Sequence, residues 1–166
     1  MKLNELCEIM YSEGYRFASL SENPPVMCDM EDDTKPAPAW YFSEIVWGEE
    51  CSLSWAEWCK YEKFYVGLYS AKPICFAKFD ASKLASDETD MSKYCVSNSV
   101  GYYKWNQVRA DGYDGIFAMD STHSNWISAS GGWDVPTIAI WNPEGCVYDV
   151  KRFQNAGEWE YTPVLI

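Results

Sequence analysis

The segment from Asp111 to Phe153 contains short apolar runs separated by loops rich in glycine, serine and aspartate. The runs cover residues 114–119, 125–129 and 137–142. Short apolar runs between turn residues predict β-strands rather than helices. The segment therefore requires a fold with a sheet. One isolated acid, Asp134, lies just ahead of the last of these strands.

The remainder of the chain mixes helical and strand-like patterns. Leu3, Leu6, Cys7 and Met10 recur at helical spacing ahead of Gly14, which predicts a helix over residues 3–12. A second helix is predicted to begin at the capping box Ser54-Trp-Ala-Glu57, and helical or turn-rich stretches are predicted at 80–95 and 100–109. The other predicted strands are 15–20, 40–44, 64–69, 73–79, 146–151 and 158–165.

This order of elements lacks a regular strand–helix–strand alternation. It predicts an α+β domain with antiparallel or mixed sheets, in which the helices fall mainly in the N-terminal two thirds. No linker or repeat divides the sequence, so a single domain over residues 1–166 is expected. The stretch 21–39 combines prolines with a cluster of acids, which predicts a long surface loop. Such a loop is either a tolerated insertion or a lid over a site.

Two features of the composition bear on function. Aromatic residues make up 17% of the chain, with nine tryptophans and twelve tyrosines, and they either pack the core or line a pocket for a flat ligand. The formal net charge is −12, which disfavours binding to nucleic acid or to an anionic membrane surface. The charge serves solubility, or it attracts a basic protein partner, or it mimics a nucleic acid.

The seven cysteines include no CxxC pair, and Glu5, Glu8 and Glu13 interrupt the N-terminal region where a secretory signal would need an apolar core. Buried thiols in a reducing compartment are therefore expected, together with a cytoplasmic location. No apolar window is long enough to predict a transmembrane helix.

Several chemistries are disfavoured by missing motifs. The chain has neither a GxxxxGK[ST] loop nor a GxGxxG turn, so phosphates are not expected on a glycine cradle. The single histidine, His123, lies in a predicted hairpin turn, and no metal site is predicted. A hydrolase that works through His123 and a cysteine remains a third interpretation.

Two charged residues are the candidates for a site. Arg16 stands mid-strand in GYRFAS, where its planar fork suits a phosphate or carboxylate, although pairing with one of the many acids is the alternative. Asp134 follows two glycines and precedes Pro136, a constrained position from which a carboxylate can act as an electrostatic or general-base group, or as a plain turn aspartate. Asp120 and Glu144 are the other acids nearby.

Four segments together resemble the mono-ADP-ribosyltransferase family, including its small toxin and phage-effector members. They are YRFAS near the start, WYFSE after the loop, GYDGIF, and IAIWNPEGCVYDVKRF. The resemblance is concentrated in residues 110–153, with weaker similarity at 15–19 and 40–44. Pro136 and Thr137 stand where the family usually has a glutamate, and no Ser-Thr-Ser run follows the middle strand.

The resemblance implies a split β-sandwich and an enzyme that transfers ADP-ribose from NAD to a protein target, as a phage or bacterial effector in the host cytosol. It implies that Arg16 contacts the NAD phosphate or the nicotinamide ribose and that Asp134 holds a ribose hydroxyl and stabilises the developing positive charge. Tyr41 or Phe42 would stack on nicotinamide, which Ser43 would orient. The alternative is a non-catalytic acidic protein that binds a basic partner or mimics a nucleic acid.

Overall fold

The computed structural model describes residues 1–21, 24, 26, 28–46, 55–61, 73–86, 89–97, 102–118, 135–157 and 160–163. Its four α-helices in this part of the chain are α1 (Leu3–Ser12), α2 (Trp55–Tyr61), α3 (Trp105–Ala110) and α4 (Pro143–Cys146). Two short 3₁₀ helices occupy Ala81–Lys83 and Met91–Tyr94. No helix in these residues has both the length and the apolar character needed to cross a membrane.

Eight strands are present within the described residues. They are β1 (Phe17–Ser19), β2 (Trp40–Glu44), β3 (Ile74–Phe79), β4 (Leu84–Ala85), β5 (Gly115–Ala118), β6 (Thr137–Ile140), β7 (Val147–Gly157) and β8 (Glu160–Pro163). They form one sheet in the order β4-β5-β6-β2-β1-β3-β7-β8. The sheet is mixed because β4 and β5 are parallel whereas β1 pairs with β2 and β3 in antiparallel fashion. The predicted α+β class is thereby confirmed.

The chain divides into two compact units, of which the first comprises Met1–Glu22, Phe42–Lys78 and Tyr148–Ile166. Its core joins α1 and α2 to β1, β3, β7 and β8 through apolar side chains that include Leu3, Leu6, Met10, Trp55, Ile74, Phe76 and Tyr161. Phe76 meets Phe153 edge to face at 5.8 Å between ring centroids. Gly14 has a φ of +92°, a conformation that glycine adopts without steric cost, where the chain leaves α1.

The second unit comprises Asn23–Tyr41 and Phe79–Val147, and its core includes Trp105 and Trp141. Trp105 and Trp141 lie 6.0 Å apart between ring centroids. Each indole N–H donates to a carbonyl, that of Trp105 to Asp33 at 2.9 Å and that of Trp141 to Tyr113 at 2.8 Å. The predicted packing role of the aromatic residues is confirmed at these two positions. Each indole ring is buried, and its N–H group is hydrogen-bonded.

The loop predicted over residues 21–39 forms no helix or strand in its described part, apart from an isolated bridge between Asp33 and Tyr103. It is nevertheless anchored, because Met30 is buried in the core of the second unit and its backbone N–H donates to the Asn106 side chain at 2.8 Å. Arg109 donates to the carbonyl of Cys28 at 2.7 Å. In this unit the loop therefore contributes to the core as well as to the surface.

The predicted helix over 100–109 is wrong at its N-terminal end, because the helix begins at Trp105. Tyr103 instead forms backbone bridges with Asp33 and Cys95, so its N–H and carbonyl are used outside a helix. The strands predicted at 64–69 and 125–129, like Ser54 of the predicted capping box, lie outside the described residues.

Candidate functional site

Arg16 lies directly ahead of β1 and forms an ion pair with Glu44 at the end of β2. Both Nε and Nη2 of the guanidinium contact Oε1 of the carboxylate. The side chain of Glu44 is 1% exposed and that of Arg16 is 37% exposed, so the acid is buried and the base reaches solvent. The alternative reading of Arg16, as an arginine paired with an acid, is therefore the arrangement observed within this unit.

Backbone pairing explains why these two side chains meet. Phe17 pairs with Glu44 and Ala18 pairs with Ser43 across the β1–β2 ladder. The N–H of Ile45 donates to the carbonyl of Arg16 at 2.8 Å, which extends the ladder past the start of β1. The backbone thus fixes Arg16 and Glu44 as close neighbours before their side chains interact.

Glu44 is a residue of this candidate site that the sequence analysis does not single out. Along β2, Trp40, Phe42 and Glu44 are buried while Tyr41 and Ser43 are half-buried, as expected for side chains that alternate between the faces of a strand. The signal was available in WYFSE, because alternation places the glutamate on the same face as two buried aromatic rings. A carboxylate on such a face requires a cationic or hydrogen-bonding partner.

The other predicted residues on β2 differ in their accessibility. Phe42 has no exposed surface, so its ring lacks the access that stacking on a ligand requires. Tyr41, in the second unit, is half-buried, and its hydroxyl donates to the carbonyl of Pro36. Burial, reinforced by the nearby Asp33, raises the pKa of Tyr41, which therefore remains a neutral phenol. Ser43 is half-buried on β2.

Tyr15, Lys78 and Asp149 form a second polar cluster in the first unit. The Tyr15 hydroxyl is hydrogen-bonded to Asp149, and burial together with this acceptor raises the pKa of Tyr15 to about 12. Nζ of Lys78 lies 3.8 Å from Oδ2 of Asp149 and 4.7 Å from the centroid of the Tyr15 ring. Asp149 has a φ of 56°, the left-handed region, inside β7. An aspartate within a strand is itself unusual and was the available sequence signal.

Several predicted site residues lie outside the part of the chain that the structure describes. They are Asp134, on which the catalytic prediction depends, together with Asp120 and His123. Glu144 is exposed in the first turn of α4. No group of three or more metal-ligating side chains is found among the described residues.

The thiols of the described residues bear on the hydrolase interpretation. Burial raises the pKa of Cys59, and burial together with Asp114 and Asp80 raises the pKa of Cys146 to about 12. A thiol with a raised pKa carries little thiolate at neutral pH and is a poor nucleophile. Cys28 is exposed.

Comparisons with protein-family models, with curated proteins and with solved structures find no match to this chain.

Proposed function

We propose that this chain is an NAD-dependent mono-ADP-ribosyltransferase that modifies a protein target in the cytosol. The observation that supports the proposal most directly is the Arg16–Glu44 pair, which lies on the same ladder as Ser43. A guanidinium held by a buried carboxylate has a restricted orientation. Restricted orientation is what a group that positions a substrate requires.

The pair also indicates which part of NAD Arg16 would contact. Glu44 balances the positive charge of Arg16, so a further anion gains less from this guanidinium than it would from an isolated one. The proposal therefore assigns Arg16 to a hydroxyl of the nicotinamide ribose rather than to a phosphate. Ser43 would orient the nicotinamide amide, and Tyr41 is preferred over the fully buried Phe42 as the stacking ring.

The proposed reaction exchanges one bond at the ribose anomeric carbon for another. The bond from this carbon to the nicotinamide nitrogen breaks, and nicotinamide leaves as a neutral molecule with the bonding electron pair. A nucleophile of the target protein then bonds to the same carbon and releases its proton to solvent. Asp134 is assigned the stabilisation of the oxocarbenium-like charge that develops between these steps.

The proposal includes the split β-sandwich that the family resemblance implies. The described residues form one mixed eight-stranded sheet, so a division into two packed sheets is the part of this fold that is proposed. An experimental structure would test the split β-sandwich, and in complex with NAD it would also show whether the nicotinamide ribose lies beside Arg16 and Ser43.

Activity can be tested by incubating the protein with labelled NAD and a bacterial lysate. We expect a labelled protein band, which Asp134→Ala reduces about 100-fold because a carboxylate directed at developing charge is lost. Arg16→Lys keeps the charge but removes the fork, and it should also reduce labelling. Arg152→Lys on β7 is the matched control and should label as the wild type does. Absence of any labelled product, or full labelling by Asp134→Ala, would refute the proposal.

The second candidate function is non-catalytic binding of a basic partner. It is favoured by the net charge of −12 and by α1, whose sequence LNELCEIMYS carries two glutamates and no basic residue. Mimicry of a nucleic acid would draw on the same charge.

A further inference from the structure

α1 and α2 border a groove of about 350 Å³ within the first unit, which we call the α1–α2 groove. Its lining includes Cys7, Glu8, Tyr11, Ile45, Val46 and Glu57. The α1 residues among these recur at helical spacing, so one face of the helix forms one wall. The volume is at the lower end of the range for ligand pockets and suits one or two side chains of a partner.

The groove is apolar at its base and along part of its rim. Cys7 and Ile45 are buried at its base. Tyr11 and Val46 at its rim are 51% and 50% exposed, so two large apolar side chains border the same opening. Exposed apolar side chains grouped around a concave surface are typical of binding sites rather than of ordinary surface.

The charged residues among the described lining of the groove are both acidic. Glu8 on α1 and Glu57 on α2 are exposed acids at its lining, and the described residues that line it include no lysine or arginine. The chain as a whole carries a charge of −12. An acidic partner, a nucleic acid or a second copy of this chain would therefore meet like charge at the groove, whereas a basic partner is attracted to it.

We propose that the α1–α2 groove receives a segment of a basic partner protein, with an apolar side chain between Tyr11 and Val46 and a neighbouring lysine or arginine at Glu8. Long basic side chains match such a surface because their methylene stems pack on apolar groups while the charged head stays in water. Neither Arg16 nor Glu44 belongs to the described lining of the groove, so binding at the groove does not require NAD.

Fluorescence anisotropy with a fluorescein-labelled peptide of alternating leucine and lysine would test the proposal in the absence of NAD. We expect saturable binding, and weaker binding of a matched peptide in which glutamine replaces lysine. Glu8→Lys should weaken binding about tenfold or more, since it places like charge at the contact. The control Glu5→Lys makes the same change in net charge on α1 outside the groove, and it should weaken binding about threefold at most.

A second pair of variants tests the apolar contact independently. Tyr11→Ser removes a rim side chain, whereas Ile9→Ser removes another exposed apolar side chain of α1 that does not line the groove. Circular dichroism confirms that each variant is folded. Equal weakening by the two members of either pair, or no binding of the lysine peptide, would overturn the proposal. Failure of NAD labelling would leave this result unchanged, so the two proposals fail separately.

Discussion

Glu44 is the residue that determines the local electrostatics where β1 and β2 pair. Its carboxylate is buried on the same face of β2 as Phe42, and its charge is balanced by Arg16. Removal of one partner from a buried ion pair is costly because the remaining charge stays away from water without compensation. Arg16 is the informative partner to remove, since it is itself partly exposed.

We expect Arg16→Met to lower the free energy of unfolding by about 3 kcal/mol, because it retains most of the side-chain volume and leaves the buried Glu44 carboxyl without its guanidinium partner. Urea denaturation at neutral pH measures this loss. Arg152→Met on β7 is the matched control and should change the free energy of unfolding by less than about 0.5 kcal/mol. A loss for Arg16→Met no larger than that of the control would mean that Glu44 does not depend on the guanidinium.

Local sequence patterns predict some features of this site and not others. Arg16 and the β2 segment are predictable, because an arginine between aromatic residues and an alternating strand are local signals. Such signals do not identify Glu44 as the partner, since the pairing depends on a register between strands separated by the 21–39 loop. Asp149 was missed for a similar reason: its contacts with Tyr15 and Lys78 join three distant parts of the chain.

The two 3₁₀ helices begin with the same pattern of capping hydrogen bonds. Oδ1 of Asp80 accepts from the backbone N–H of Ser82 at 3.1 Å and from its hydroxyl at 2.6 Å. Asp90 makes the same pair of contacts with Ser92. These hydrogen bonds hold the pKa of each aspartate below the ordinary value, because they favour the charged carboxylate.

We expect the stabilisation of the first 3₁₀ helix by Asp80 to depend on pH. A depressed carboxyl pKa in the folded state contributes stability above the ordinary value of 3.8, and this contribution is lost as the pH falls through the lowered pKa. Asp80→Asn should therefore lower the urea midpoint at neutral pH and approach the wild type in strong acid. Glu144→Gln removes one exposed acid of α4 as a control. A difference between Asp80→Asn and the wild type that persists unchanged in strong acid would contradict this explanation.

Elements defined by local patterns were predicted most closely. The helix over 3–12 and the strand over 40–44 match α1 and β2 at both ends, because apolar spacing and the flanking Gly14 or Pro38 define them locally. The predicted start of α3 was wrong because Tyr103 pairs with Asp33, a contact that no local window contains. The same limit applies to the strand order, in which β1 lies between β2 and β3.

The net charge of −12 destabilises the folded protein, because its negative charges repel one another more strongly in the compact state. We expect the free energy of unfolding to rise as NaCl increases from about 0.01 M to about 0.15 M, since the screening length falls from about 30 Å to about 8 Å. Thermal unfolding at constant pH measures the effect. A variant with Glu13→Lys and Asp29→Lys carries less negative charge and should respond less. A decrease in stability with added salt would indicate that attractive ion pairs outweigh the repulsion.

Chemical modification of the buried thiols can report when the fold opens. Alkylating reagents attack thiolates, and burial together with Asp114 and Asp80 raises the pKa of Cys146 to about 12 in the folded state. Exposed Cys28 is accessible to such a reagent in the native state. Cys146 can be modified only after the fold opens locally. The delay between modification of Cys28 and modification of Cys146 therefore measures how long this part of the chain remains closed.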